Sequence, residues 1–145
     1  MYDTENSLES SMALCKKWAE AAAICHSISI KVSPGSFHYT GQHAVTYQLT
    51  EEEKEKLCDI LRHHVTPQVA RMAEGLCVDY AWFSYIRLYG ADGEKLITLS
   101  GNDINGDGPD GLWTSPAKVY GKEAKFLNEI QRKARELFNR ENNIK

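Results

Sequence analysis

The sequence predicts an α+β domain: one mostly antiparallel sheet of about four strands, formed by two hairpins and packed with three to four helices. Three observations lead there. Apolar residues recur at helical spacing near both ends of the chain. Two stretches, "SISIKVS" and "YAWFSYIRLY", switch to period two. Each of these is followed, after glycine, by a second alternating run and then by a helical pattern, so the element order reads α-β-β-α-α-β-β-α.

Residues 7–25 form the first predicted helix, with Leu8, Met12, Cys15, Ala19 and Ala22 as its apolar stripe and Trp18 at its flank. Asn6 and Glu9 have capping-box spacing. The first strand then sets Ile28, Ile30 and Val32 against Ser27, Ser29 and Lys31. Pro34-Gly35 suits the centre of a type II turn, since proline presets φ and glycine accepts a positive one. The returning strand alternates Val45, Tyr47 and Leu49 with Ala44, Thr46 and Gln48, after an irregular start around residues 39–42.

"TEEEKEKLCDILRHHV" carries Thr50 as N-cap, Glu53 in the capping box and an acidic first turn facing the positive helix end. Leu57, Ile60, Leu61 and His64 make its expected buried stripe. Thr66-Pro67 reads as a stop followed by a second short helix with Val69, Met72, Ala73 and Leu76 on one face. In "YAWFSYIRLY", Trp82, Ser84, Ile86 and Leu88 alternate with Phe83, Tyr85, Arg87 and Tyr89, which predicts a central strand covered on both sides. "GADG" turns the chain into "EKLITLS". The last helix buries Leu127, Ile130, Ala134, Leu137 and Phe138, with Gly121 marking a break or late start.

At 145 residues the chain fits one domain, 1–145, with residues 1–5 and 140–145 expected to fray. A hydrophobic share of 42% and a charged share of 26% exclude wholesale disorder. No apolar run approaches the ~20 residues of a membrane span, and no leader pattern opens the chain, so a cytoplasmic protein is the expectation. A secreted protein whose leader had been removed would read the same way. The net charge of −3 names no partner, and glutamates interrupt the basic face of the last helix, which argues against a nucleic-acid surface. Cys15, Cys25, Cys58 and Cys77 lack any C-x-x-C pairing and read as reduced core residues.

One stretch invites chemistry. "GNDINGDGPDG", residues 101–111, places Asp103, Asn105 and Asp107 at positions one, three and five, with Gly108 at six. Over these six residues it resembles an EF-hand or dockerin calcium loop. The chain departs from that pattern at position seven, Pro109, and at position twelve, Thr114, where a bidentate carboxylate belongs. Asp110 offers a further oxygen, and Trp113 follows as either a lid on the core or an anchor for a partner. The same composition also serves turns and recognition loops.

His26, His38, His43, His63 and His64 show no zinc-ligand spacing, although His43 and His64 fall in phase with apolar residues. No nucleophile elbow or phosphate loop appears. The leading expectation is therefore a non-catalytic binding or inhibitory protein acting on another protein through a surface that includes loop 101–113. Asp103, Asn105, Asp107, Asp110 and Trp113 are its candidate binding residues. A calcium-binding or calcium-stabilised module using Asp103, Asn105 and Asp107 is the alternative. An enzyme built from the histidines and loop aspartates is a second one.

Overall fold

A computed structural model describes residues 4–35, 42–72, 82–106 and 113–143. The first half holds β1 (Thr4–Asn6), α1 (Leu8–Ala23), β2 (Ser27–Pro34), β3 (Val45–Gln48) and α2 (Glu51–His63). Then come β4 (Thr66–Pro67), β5 (Ala70–Met72), β6 (Trp82–Tyr89), β7 (Lys95–Ser100), β8 (Ile104–Asn105), β9 (Trp113–Thr114) and β10 (Ala117–Lys118). The last element is α3 (Gly121–Glu141).

The main sheet has the order β3-β2-β6-β7 and is antiparallel throughout, so the α+β class and both expected hairpins are present. Its inner rows are Tyr47–Ile30–Ile86–Leu99 and Ile28–Leu88–Ile97. Ile28, Ile30, Val32 and Leu88 lose all contact with solvent, because β-branched and leucine side chains on one face of a pleat meet the helices together. They form one core with Trp18 of α1, Leu57, Ile60 and Leu61 of α2, and Leu127, Ile130 and Phe138 of α3. β6 is central, as its sequence predicts. The turn after it closes through Gly93 N–H to Gly90 O at 3.0 Å, with Gly93 at φ 80°, a conformation in which a side chain would be strained.

Four local expectations are corrected. α1 is capped by Ser7, whose hydroxyl accepts from Ser10 N–H at 3.1 Å, and not by Asn6, which pairs with Ala70 in the β1–β5 ladder. Its buried face is Ser11, Cys15, Trp18, Ala21 and Ala22, while Leu8 and Met12 are exposed. A face centred on Trp18 removes the largest side chain of the helix from water, and that outweighs the smaller gain from Leu8 and Met12. His64 is the exposed C-cap of α2, bonded to Asp59 at 3.1 Å, and is not on the buried stripe. Pro34, read as a turn residue, is the last residue of β2, opposite Trp82.

The largest difference is at residues 66–72, which are extended where the sequence suggests a helix. β4 lies at the edge of a small sheet of order β4-β10-β8, where Pro67 needs no N–H of its own. β5 sits between β1 and β9. Gln68 N–H donates to Pro116 O at 2.9 Å, so tertiary partners take the backbone groups that a short helix would have paired internally. Ala73 and Leu76, also assigned to that helix, lie outside the described residues. At the chain ends, Asn6 is in a ladder and α3 continues to Glu141, within or beside the stretches expected to fray.

Candidate functional site

The loop 101–113 is held at its base by a lattice of short polar bonds. Asp103 Oδ2 accepts the N–H of Ser100 at 2.8 Å, and Asp103 N–H donates back to Ser100 O at 3.1 Å. Burial raises the Asp103 carboxyl above its usual pKa, and the bonds from Ser100 only partly oppose this. Asn105 Oδ1 accepts from Ser115 N–H at 2.8 Å and from Gln68 Nε2 at 3.2 Å. Gln68 Nε2 also reaches Ser115 O at 2.8 Å, and the Ser115 hydroxyl donates to Asn102 O. β8 runs parallel to β10, and β9 pairs with β5, so both ends of the loop are laddered into small sheets. Trp113 lies opposite Met72 in the second of these. Asp107 and Asp110 lie outside the described residues.

The loop leaves β7 at the edge of the main sheet and runs on the helix side, where Ile104 is buried in the core shared with the helices and Gly106 lies beside Ala124 of α3. The outer face of the sheet carries a separate set of side chains. Register places Gln48, Ser29, Arg87 and Thr98 in one row of that face, and Thr46, Lys31, Tyr85 and Ser100 in the next. Phe83 and Tyr89 extend it along β6. Lys31, Phe83, Tyr85, Arg87 and Tyr89 are all half-buried. Lys31, Arg87 and three aromatic rings thus share a face whose described strand residues include no carboxylate, with Lys95 opposite Tyr89 at its edge. Arg87 Nε is fully buried and has no hydrogen-bond partner among the described residues. A guanidinium nitrogen cut off from both water and protein is costly unless a further group meets it. Sequence alternation assigned Arg87 to this face; its unpaired nitrogen needed the third dimension.

A second region lies between α2 and α3. Glu53 takes a bond from Thr50 N–H at 2.9 Å, one bifurcated bond from the Tyr47 hydroxyl to its two oxygens at 2.9 and 3.1 Å, and one from Lys133 Nζ at 2.9 Å. Burial pushes the Glu53 carboxyl upward, but the Thr50, Lys133 and Tyr47 bonds outweigh it and hold the group below its ordinary pKa. Alongside, a groove of about 280 Å³ is lined by Lys56, Asp59, Ile60, Lys122, Glu123 and Phe126. Its charges alternate in sign, so it favours neither anion nor cation.

The described histidines do not gather at the loop. His26 and His43 flank strands of the main sheet, while His63 and His64 end α2 with rings 6.4 Å apart, and all four are exposed. His38 lies outside the described residues. Among the described residues no three His, Cys, Asp or Glu side chains cluster as a metal would require. No described helix is long and apolar enough to cross a membrane. Cys15 is buried as expected, Cys25 and Cys58 are half-buried, and Cys77 lies outside the described residues.

Together these elements define a small α+β domain with helices gathered on the inner face of a four-stranded sheet and a loop pinned at its base on the same side. Comparison with family models, curated proteins and solved structures finds no match for the chain.

Proposed function

We propose that the protein is a non-catalytic binding protein that holds a partner protein through the outer face of its sheet, with loop 101–113 as a second contact at the sheet's edge. The half-buried Arg87, with its Nε unpaired among the described residues on a face whose described strand residues include no carboxylate, is the observation that carries this reading. A partner carboxylate would meet the accessible part of the guanidinium in charge-assisted bonds, and a small side-chain rotation would open Nε to it. Tyr85 and Tyr89 beside it supply rigid aromatic area, and arginine and tyrosine dominate the binding energy of protein interfaces. The laddered ends of the loop limit the ordering cost of any contact it makes.

Calcium would need Asn105 Oδ1 to release both Ser115 and Gln68, which is why protein binding ranks ahead of it. The test is affinity capture from the source cell with wild type, Arg87→Ala, Tyr85→Ala and Met12→Lys. A specific partner should be lost with the first two variants, each weakening binding by about 2 kcal/mol or more, and retained with the third. A partner that survives both sheet-face substitutions would overturn the reading. If calcium raises the melting temperature and Asp103→Ala abolishes the rise, the calcium module replaces it.

A further inference from the structure

α1 and α2 pack on each other, and this brings Cys25 and Cys58 against the same core and within side-chain hydrogen-bonding reach, although 32 residues separate them in sequence. Cys25 follows the C-terminal end of α1, where the chain turns toward β2, and Cys58 projects from the middle of α2. Both are half-buried against the core, unlike the buried Cys15. The Cys25 thiol also contacts the backbone, with Sγ 3.3 Å from Ser27 O. Lys54, one turn before Cys58 on α2, sits near both sulfurs, and Arg62, one turn after it, faces Cys58.

We propose that Cys25 and Cys58 form a reversible dithiol–disulfide site, independent of the partner surface, in which Cys25 attacks a small-molecule disulfide of the glutathione class and Cys58 resolves the product. In the first step the Cys25 thiolate attacks one reagent sulfur. The reagent S–S bond breaks, a mixed disulfide forms on Cys25, and the departing thiolate takes up a proton. In the second step Cys58 loses its proton to solvent and attacks the Cys25 sulfur. A Cys25–Cys58 bond forms, and the second reagent thiol leaves and is protonated. Two protein thiols are oxidised while one small disulfide is reduced to two thiols.

The surroundings favour this division of labour. The hydrogen bond from Cys58 lowers the Cys25 thiol to about 7 against the opposing effect of burial, with the Tyr89 backbone and the Lys54 charge adding to the fall. The same bond, followed by burial, raises Cys58, so the pair gives up its first proton readily and its second reluctantly. A thiol that titrates near neutral pH is close to the optimum for attack. Cys15 differs: it is buried, and burial alone raises its thiol. The pairing therefore separates one reactive couple from a cysteine that serves the core.

The test is to incubate the full chain with glutathione disulfide at neutral pH, alkylate the remaining thiols, and map the cysteines by mass spectrometry. The expected product is an intramolecular Cys25–Cys58 bridge, reversed by a dithiol reductant, with Cys15 alkylated only after unfolding. Cys58→Ala should stop at glutathione on Cys25, and the alkylation midpoint of Cys25 should rise from about 7 toward that of an ordinary thiol. Bridges through Cys15 or Cys77, a mixed disulfide that persists in the wild type, or thiols that all stay reduced would each overturn the proposal. The wild-type map decides the matter even if Cys58→Ala fails to fold.

Discussion

Glu53 shows how a capping residue becomes a structural centre. The Thr50–Glu53 box was legible from its spacing, and both of its bonds form. Its bonds to Tyr47 and to Lys133, 80 positions away, were not legible, because helical and strand periodicity say nothing about which elements meet. Glu53→Ala leaves the Tyr47 hydroxyl and Thr50 N–H without their acceptor and should cost about 2–3 kcal/mol in denaturant unfolding. Since the folded pKa of Glu53 lies below its unfolded value, its contribution is present above the ordinary glutamate range, about 4.3, and is lost as pH falls through the folded value. The stability difference from Glu53→Gln should therefore shrink on acidification.

Asp103 has the opposite sign. Its raised pKa means that the folded state takes up a proton more readily than the unfolded one. The stabilisation is complete below the ordinary aspartate value, about 3.9, and disappears as pH rises through the folded value. Asp103→Asn keeps an oxygen for Ser100 N–H without the buried charge, so it should be more stable than wild type at neutral pH and lose that advantage in acid. Asp103→Ala should fall about 1 kcal/mol below Asp103→Asn, since the Ser100 N–H then lacks its acceptor. Thermal melts of the three proteins across pH check both statements.

Among the elements, α1 was legible as a helix but rotated in detail. The sequence offered a Leu8–Met12–Cys15 stripe and a Trp18 stripe that overlap, and spacing alone does not choose between them. Burial does: Trp18 is 2% exposed and Met12 55%. Trp18→Ala should cost about 3–5 kcal/mol, whereas Met12→Gln should stay within about 0.5 kcal/mol, both read from urea midpoints. Residues 66–72 were misread for a different reason. Their apolar spacing is too short to separate helix from strand, and their ladder partners, at 4–6, 113–114 and 117–118, lie far away in sequence.

For the whole molecule, the fold class followed from alternation in β2, β3, β6 and β7, where the pattern is long enough to be unambiguous. The candidate surface was only half legible. The loop stood out by composition, but the outer sheet face depends on the β2–β6 and β6–β7 registers. Oxidation offers a test at this scale. A Cys25–Cys58 bridge closes a loop of roughly 33 residues, worth about 4 kcal/mol in the chain-entropy treatment. The oxidised protein should therefore melt higher than the reduced one, and a dithiol reductant should reverse the gain.

The β2–β6 ladder also bears on time. It matches Ser27 with Tyr89 and Pro34 with Trp82, so the centre of the sheet joins segments separated by β3, the whole of α2, β4 and β5. The β6–β7 hairpin closes over a few residues and can form within microseconds. The β2–β6 ladder must first bring distant chain together, and such non-local topologies fold on millisecond-to-second timescales. A nascent chain that has not yet delivered Tyr89 therefore lacks β6, β7 and α3, which complete the core around β2, and in that interval aggregation competes with folding.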